Sequence, residues 1–173
     1  MKYKGLISIM LIFAIFYANI SVFAESLPNV ATNSETSSVK PTSAEREMLN
    51  LLNNARTERG LQPLVLDIEL TTLAREKAND MVTNGFFAHI SPTFGSPFEM
   101  MKNAGITYTS AGENIAENVT VAGANNALML SDSHRANMLS SRFNRVGIGI
   151  VDGPREFKTM VQMFVEDALP EGR

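Results

Sequence analysis

Several stretches of the chain carry apolar residues at helical intervals, and the C-terminal part switches to strict alternation. Met48, Leu51, Leu52 and Ala55 follow Pro41 and a Thr42–Glu45 pair with capping-box spacing. This predicts a helix from about Ser43 that ends at Arg59-Gly60. A second helix is predicted from about Asp67, its cap, to Thr83, with Leu70, Leu73, Ala74, Ala78 and Met81 as the buried stripe and Asn84-Gly85 as the stop. A short third helix is expected over Pro97–Asn103. Ser96 caps it, Pro97 suits its first turn, Glu99 sits at its third position and Gly105 ends it. A fourth, about Ala122 to Leu130, carries Ala124, Ala127, Leu128 and Met129, and a turn or short helix follows from Ser131 to Leu139. Val146, Ile148 and Ile150 then alternate with Gly147, Gly149 and Val151. After the Asp152-Gly153-Pro154 turn, Phe157, Thr159, Val161, Met163 and Val165 alternate with Lys158, Met160, Gln162 and Phe164. This pattern reads as an antiparallel hairpin closing a helical domain, an α+β arrangement of helices on a sheet.

The N-terminal pattern is of another kind. Lys2 and Lys4 precede an uncharged apolar run from Leu6 to Ile20, and Val22, Phe23 and Ala24 end it. This is the layout of a secretory signal, with cleavage expected between Ala24 and Glu25. The run is short against the ~20 apolar residues that span a bilayer, so contact with a membrane is expected only through this segment if it stays uncleaved. Residues 25–42 are rich in Ser, Thr, Asn and Pro and read as a disordered spacer. The domain is placed at 43–168 and a C-terminal tail at 169–173.

Charge and composition narrow the function. The 173-residue chain has a formal charge of −3, and loss of Lys2 and Lys4 with the leader takes it to −5. A mildly acidic surface excludes a nucleic-acid or anionic-lipid binder driven by charge. There is no cysteine, which excludes a thiol nucleophile and thiolate metal ligands. It also leaves an exported domain to hold together by its core or by a bound metal. Ten methionines, ten phenylalanines and no tryptophan suggest a core of flexible apolar side chains.

Chemistry-bearing residues are few. The chain has two histidines. His89 lies in a turn-rich Phe87-Ala88-His89-Ile90-Ser91-Pro92 segment, and His134 in Ser131-Asp132-Ser133-His134-Arg135-Ala136-Asn137. Between them lies Gly112-Glu113-Asn114-Ile115-Ala116. Two imidazoles and a carboxylate have the composition of a metal site or an acid–base site. Each also has a structural explanation: a histidine after a helix caps carbonyls, Glu113 ties down a loop, Glu99 caps its own helix, and Arg135 and Asn137 fix the chain. No phosphate-binding glycine loop, no His-Glu-x-x-His and no Gly-x-Ser-x-Gly elbow is present.

The ordered series Asn54-Ala55-Arg56, Leu64 to Leu66, His89-Ile90-Ser91-Pro92, Gly112-Glu113-Asn114-Ile115-Ala116, Ser133-His134-Arg135-Ala136-Asn137-Met138-Leu139 and Val146-Gly147-Ile148-Gly149 resembles the CAP superfamily. That superfamily comprises cysteine-rich secretory proteins, antigen 5 and pathogenesis-related-1 proteins, and the likeness is to its bacterial, cysteine-free, SCP-like extracellular branch. It spans about residues 45–166. It implies an α-β-α sandwich with a small antiparallel sheet between helical layers, and a cleft that gathers His89, Glu113 and His134. The eukaryotic branch has a second cleft glutamate soon after the first histidine. This chain has no acid between His89 and Glu99, so the set is incomplete here or Glu99 substitutes from the next helix. Leu128 stands where bacterial relatives usually carry tryptophan.

On this basis the expected protein is a secreted, monomeric, non-enzymatic domain, with cell-envelope association as a further possibility. Its cleft (His89, Glu113, His134, with Asn114, Arg135 and Ser91) would bind a divalent metal such as Zn²⁺, a small apolar or envelope-derived ligand, or a protein. His89, His134 and Glu113 would be the metal ligands, steered by Asn114 and Arg135. Two other readings stay open. One is an extracellular hydrolase using His89, Glu113 and His134, with metal-bound water or Ser91 as nucleophile. The other is a structural module of the envelope or spore.

Overall fold

Local chemistry sets the helix ends. Thr42 and Glu45 form a complete capping box at the start of α1 (Ser43–Thr57), and Asp67 accepts the Leu70 amide at the start of α2 (Ile68–Asn84). Gly85, at φ 67°, closes α2 in the left-handed conformation that only glycine adopts without strain. Ser96 and Glu99 form the second capping box, on α3 (Pro97–Asn103). Thr120 caps α4 (Val121–Leu130), and α5 (Asp132–Met138) follows directly. Four strands complete the domain: β1 (Val65–Leu66), β2 (Tyr108–Asn118), β3 (Arg145–Asp152) and β4 (Lys158–Asp167). The structure is a computed structural model that describes residues 40–167. The expected leader over 1–24, nearly all of the spacer over 25–42 and the tail over 169–173 lie outside the described residues.

The sheet has the order β1-β3-β4-β2. The expected β3–β4 hairpin is present and antiparallel, with Val146 opposite Phe164 and Gly149 opposite Val161. Two features depart from the sequence reading. The sheet is mixed, because β1 pairs parallel to β3. A long strand, β2, pairs antiparallel with β4 and forms one edge, with Glu113 opposite Met163.

Alternation along the strands feeds two cores. Val146, Ile148, Met160 and Phe164 face Met48 and Leu52 of α1, Val121 and Leu128 of α4 and Met138 of α5. Val161, Met163 and Val165 face Leu70, Ala74, Ala78 and Met81 of α2 and Met100 and Met101 of α3. The sheet therefore lies between helical layers. Each large apolar side chain so buried contributes about 1.5–3 kcal/mol. Gly147 and Gly149 explain how α2 lies so close: a Cβ on either would run into the α2 backbone at Leu70 or Ala74. Arg56 is buried at the base of the first core. Its guanidinium donates to the carbonyls of Gln62 (2.9 Å), Met138 (2.8 Å), Ser140 (2.9 Å) and Phe143 (3.3 Å), fixing the chain between α5 and β3.

Candidate functional site

His89 reaches its place because the loop after α2 is tied back onto α2. Lys77 and Asp80, one helical turn apart, are both buried. Lys77 Nζ donates to the His89 carbonyl (2.5 Å) and lies 5.7 Å from the centre of the Phe86 ring. The Asp80 carboxylate accepts from Ser91 Oγ (2.5 Å), Thr93 Oγ1 (2.8 Å) and Asn84 Nδ2 (2.6 Å). Ser91 Oγ also accepts the amides of Thr93 and Phe94, and the Ser91 and Gly95 backbones bond to each other. The result is a stiff loop whose position is set from below by two charges.

Glu113 lies in the middle of β2, on the face that looks towards α2, and Asn114 takes the opposite face. This follows from strand alternation on an edge strand, and it lets one dipeptide serve both helical layers. The Glu113 side chain is only 2 % exposed, and its Oε1 is 2.7 Å from Nδ1 of His89, whose side chain is 52 % exposed. Glu113 Oε2 is buried and has no hydrogen-bond partner among the described residues. On the other face Asn114 donates to the His134 carbonyl (3.1 Å) and to Gln162 Oε1 (3.1 Å). Asn137 donates to the Glu113 carbonyl (3.2 Å) and to Asn114 Oδ1 (2.9 Å), so α5 is fastened to the free edge of β2. His134 Nδ1 is 2.8 Å from Ser131 Oγ.

The electrostatics follow from burial. Loss of water pushes the Glu113 carboxyl above its ordinary range, against the pull of its hydrogen bond to His89 and of the charges on Lys77 and His89. Burial lowers Lys77, while Glu113 and Asp80 oppose that fall. For Asp80 burial acts against ionisation, but the Ser91, Thr93 and Asn84 hydrogen bonds with the Lys77 charge outweigh it and hold it below the usual carboxylate range. Burial first, and the charge of His89 second, push His134 below the ordinary imidazole value. The charge of His89 thus reaches His134, although only His89 touches Glu113.

Of the residues singled out in the sequence, His89 and Glu113 are in direct contact and Asn114 links them to the backbone of His134. The others have different work. Arg135 donates to the Met129 carbonyl (3.0 Å) and pairs with Asp132, so it fastens α4 to α5 and does not steer an imidazole. Ser91 is buried with its hydroxyl committed to Asp80 and two amides, which leaves no lone Ser91–imidazole pair for a nucleophile. Glu99 caps α3 through the Ser96 amide and hydroxyl and does not replace a cleft glutamate. Lys77 and Asp80 were not read as functional, because charges bordering an apolar stripe such as Ala74, Ala78 and Met81 of α2 are usually solvated.

A catalytic zinc takes three protein ligands and keeps a position open. Among the described residues no group of three or more His, Cys, Asp or Glu side chains is arranged to hold a metal ion. Glu113 Oε1 and His89 Nδ1 are engaged with each other, and His134 Nδ1 with Ser131. As they stand, these side chains present no ready three-ligand set for the ion expected from the two histidines and Glu113. A hollow of about 470 Å³ beside α3, lined by Phe98, Glu99, Lys102, Ile106 and Tyr108, includes neither histidine.

Residues 49–164 match the model of the cysteine-rich secretory protein (CAP) family. The chain is 44 % identical over 123 residues to "Uncharacterized protein YkwD" of Bacillus subtilis (strain 168), a match covering 70 % of this chain and 48 % of that one. It is 32 % identical over 110 residues to "Uncharacterized membrane protein YlbC" of the same organism, covering 63 % and 32 %. The chain therefore spans about half or less of the length of these relatives. In structure it is similar to an extracellular protein containing a SCP domain from Bacillus anthracis str. Ames, with a TM-score of 0.66 and 26 % identity, over 75 % of this chain and 45 % of that one.

Proposed function

Since the chain belongs to the cysteine-rich secretory protein (CAP) family, we propose that it is a non-enzymatic binding domain of an extracellular protein, and that its ligand is an organic, hydrogen-bond-donating group of the cell envelope. The observation that carries this reading is Glu113 Oε2, a buried acceptor without a partner beside a half-exposed imidazole. A buried lone acceptor costs about 1–3 kcal/mol, which a hydroxyl, amide or amine donated by a ligand would recover. The His89 ring, held by Nδ1 on Glu113, offers its Nε2 edge to the same group. Extracellular placement is supported by the likeness to an extracellular SCP-domain protein and by the signal-like N-terminal pattern. No helix of the described residues is long and apolar enough to cross a membrane.

The hydrolase reading is weaker here because Ser91 is spent on Asp80 and on its own loop. Titration of the ¹⁵N-labelled protein with soluble peptidoglycan fragments, and separately with a short-chain fatty acid, tests the binding reading. Shifts at the Glu113, His89 and His134 signals with the fragments, abolished by Glu113→Gln, are expected. Shifts that survive Glu113→Gln, or none with any fragment, would sink it.

A further inference from the structure

Towards its C-terminal end β2 meets the end of α2 and the β3–β4 turn. Glu117 follows Glu113 on the same face of β2, about 13 Å further along the strand. It stands opposite Thr159 of β4, whose buried hydroxyl donates to Glu117 Oε1 (3.3 Å). The turn rests on α2 here, since a Cβ on Gly153 would lie 3.6 Å from Cγ2 of Val82. Two hollows open at this junction. One, of about 240 Å³, has Met81, Val82, Phe86 and Phe87 in its wall; the other, of about 440 Å³, has Arg155, Phe157 and Thr159. Glu117 and Pro154 line both, so the hollows are adjoining lobes of one groove, the smaller apolar and the larger polar. Phe87 and Phe157 are exposed at 46 % and 43 %. The charges of the groove are free: among the described residues neither Glu117 nor Arg155 enters an ion pair, and the nearby Lys158 is taken up by Asp152. Arg155 and Glu156 hold φ 56° and 65° at the centre of a turn that the Phe157 amide closes on the Pro154 carbonyl (3.3 Å). Such turns favour Asn-Gly, and two side-chain-bearing residues strain the backbone while setting a guanidinium on the groove. Strain of this kind collects at ligand sites.

We propose that this groove binds a short peptide with free ends: its ammonium at Glu117, its carboxylate at Arg155 and an apolar side chain in the lobe beside Val82 and Phe87. A carboxylate and a guanidinium without partners of their own complement the two ends of a zwitterion, and the guanidinium can take a carboxylate through two parallel hydrogen bonds. A ligand of one charge would leave one of the two groups unmatched, and a purely apolar chain would leave both. The larger lobe alone falls within the range of about 300–1,000 Å³ usual for small-ligand sites. Neither lobe includes His89, Glu113 or His134, so the groove is separate from the site treated above.

The probe is the tripeptide Ala-Leu-Ala, titrated at neutral pH into the ¹⁵N-labelled protein. Signals of Phe87, Glu117, Arg155 and Phe157 should shift with a Kd of about 1 mM. N-acetylation and C-amidation of the peptide should each weaken binding about threefold, the worth of one exposed ion pair. Glu117→Gln should make the protein indifferent to acetylation but not to amidation, and Arg155→Gln the reverse. Ala-Gly-Ala should bind more weakly than Ala-Leu-Ala, and Phe87→Ala should narrow that difference. Three results would overturn the proposal: no shift at these four residues up to about 20 mM peptide, a doubly capped peptide binding as tightly as the free one, or shifts confined to His89, Glu113 and His134. The capped peptides act on wild type, so they decide even where a variant fails to fold. The peptidoglycan-fragment titration reads His89, Glu113 and His134 and this one reads the groove, so either reading can fail alone.

Discussion

Two cations are fully buried in this domain, and they are satisfied in opposite ways. Arg56, under α5 and β3, spends its planar fork on carbonyls of Gln62, Met138, Ser140 and Phe143, with no carboxylate among its partners. Lys77, under the His89 loop, has one carbonyl and two nearby carboxylates whose charge it shares. The first is a clamp: its charge serves only to strengthen hydrogen bonds that fix a stretch of chain. The second is a source of field, and a residue that feels it is Glu113, the buried partner of His89. The same burial thus supports a clamp in one place and a charge coupled to the His89–Glu113 pair in the other. What separates the two is whether a charged partner remains to respond.

The largest expected effect comes from the clamp. Arg56→Met should destabilise the domain by about 3–5 kcal/mol in urea unfolding, because four carbonyls, two of them in fully buried bonds, lose their donor at once. Arg56→Lys should recover only a small part, since an ammonium cannot span carbonyls placed for a fork. Full rescue by lysine would erase the distinction between the two sites. Next comes Asp80→Asn, expected to cost about 2–3 kcal/mol through loss of a charged acceptor for two hydroxyls. It should also loosen residues 86–95, seen as faster amide exchange there and not at 138–143. Lys77→Gln should cost less, about 1–2 kcal/mol, because the donor to His89 survives. A Lys77→Gln cost as large as that of Arg56→Met would make Lys77 a clamp as well.

The smallest effect is one of pH. His134 has a folded pKa below its ordinary value, so the folded form binds its proton less well than the unfolded chain. Stability from this group is full above about pH 6.5 and is lost as pH falls from there through the depressed value. The melting temperature of wild type should drop between pH 7 and 5.5, and His134→Gln should flatten that slope by a degree or two. An unchanged slope would show that burial and the charge of His89 do not act on His134.

Much of this was legible in the order of residues. The capped or glycine-ended termini of α1, α2 and α3 could be read locally, as Thr42, Asp67, Ser96 and Gly85 show, whereas the Thr120 cap of α4 was not read. The β3–β4 hairpin announced itself by alternation. β2 did not, because its central residues 112–116 are buried on both faces and include Gly, Glu and Asn, so no period of two appears. That strand carries Glu113 and Asn114, and the site could be named from motifs but not assembled. Lys77 and Asp80 were hidden by an opposite effect: on a helix, charges beside an apolar stripe are usually solvated, and only the loop folded back from Ser91 and His89 turns them inward. Arg135 and Ser91 show the limit of motif proximity, since both stand next to site residues and both are consumed in bracing the chain.

The whole account depends on the carboxylate of Glu113 holding the ring of His89 through Nδ1. Long-range ¹H–¹⁵N NMR of the histidine rings, in wild type and Glu113→Gln at neutral pH, reads this contact directly. The account predicts that Nδ1 of His89 carries the proton in wild type and that its nitrogen shifts move strongly in the variant. A His89 ring protonated on Nε2 alone, or one indifferent to the loss of the carboxylate, would contradict it.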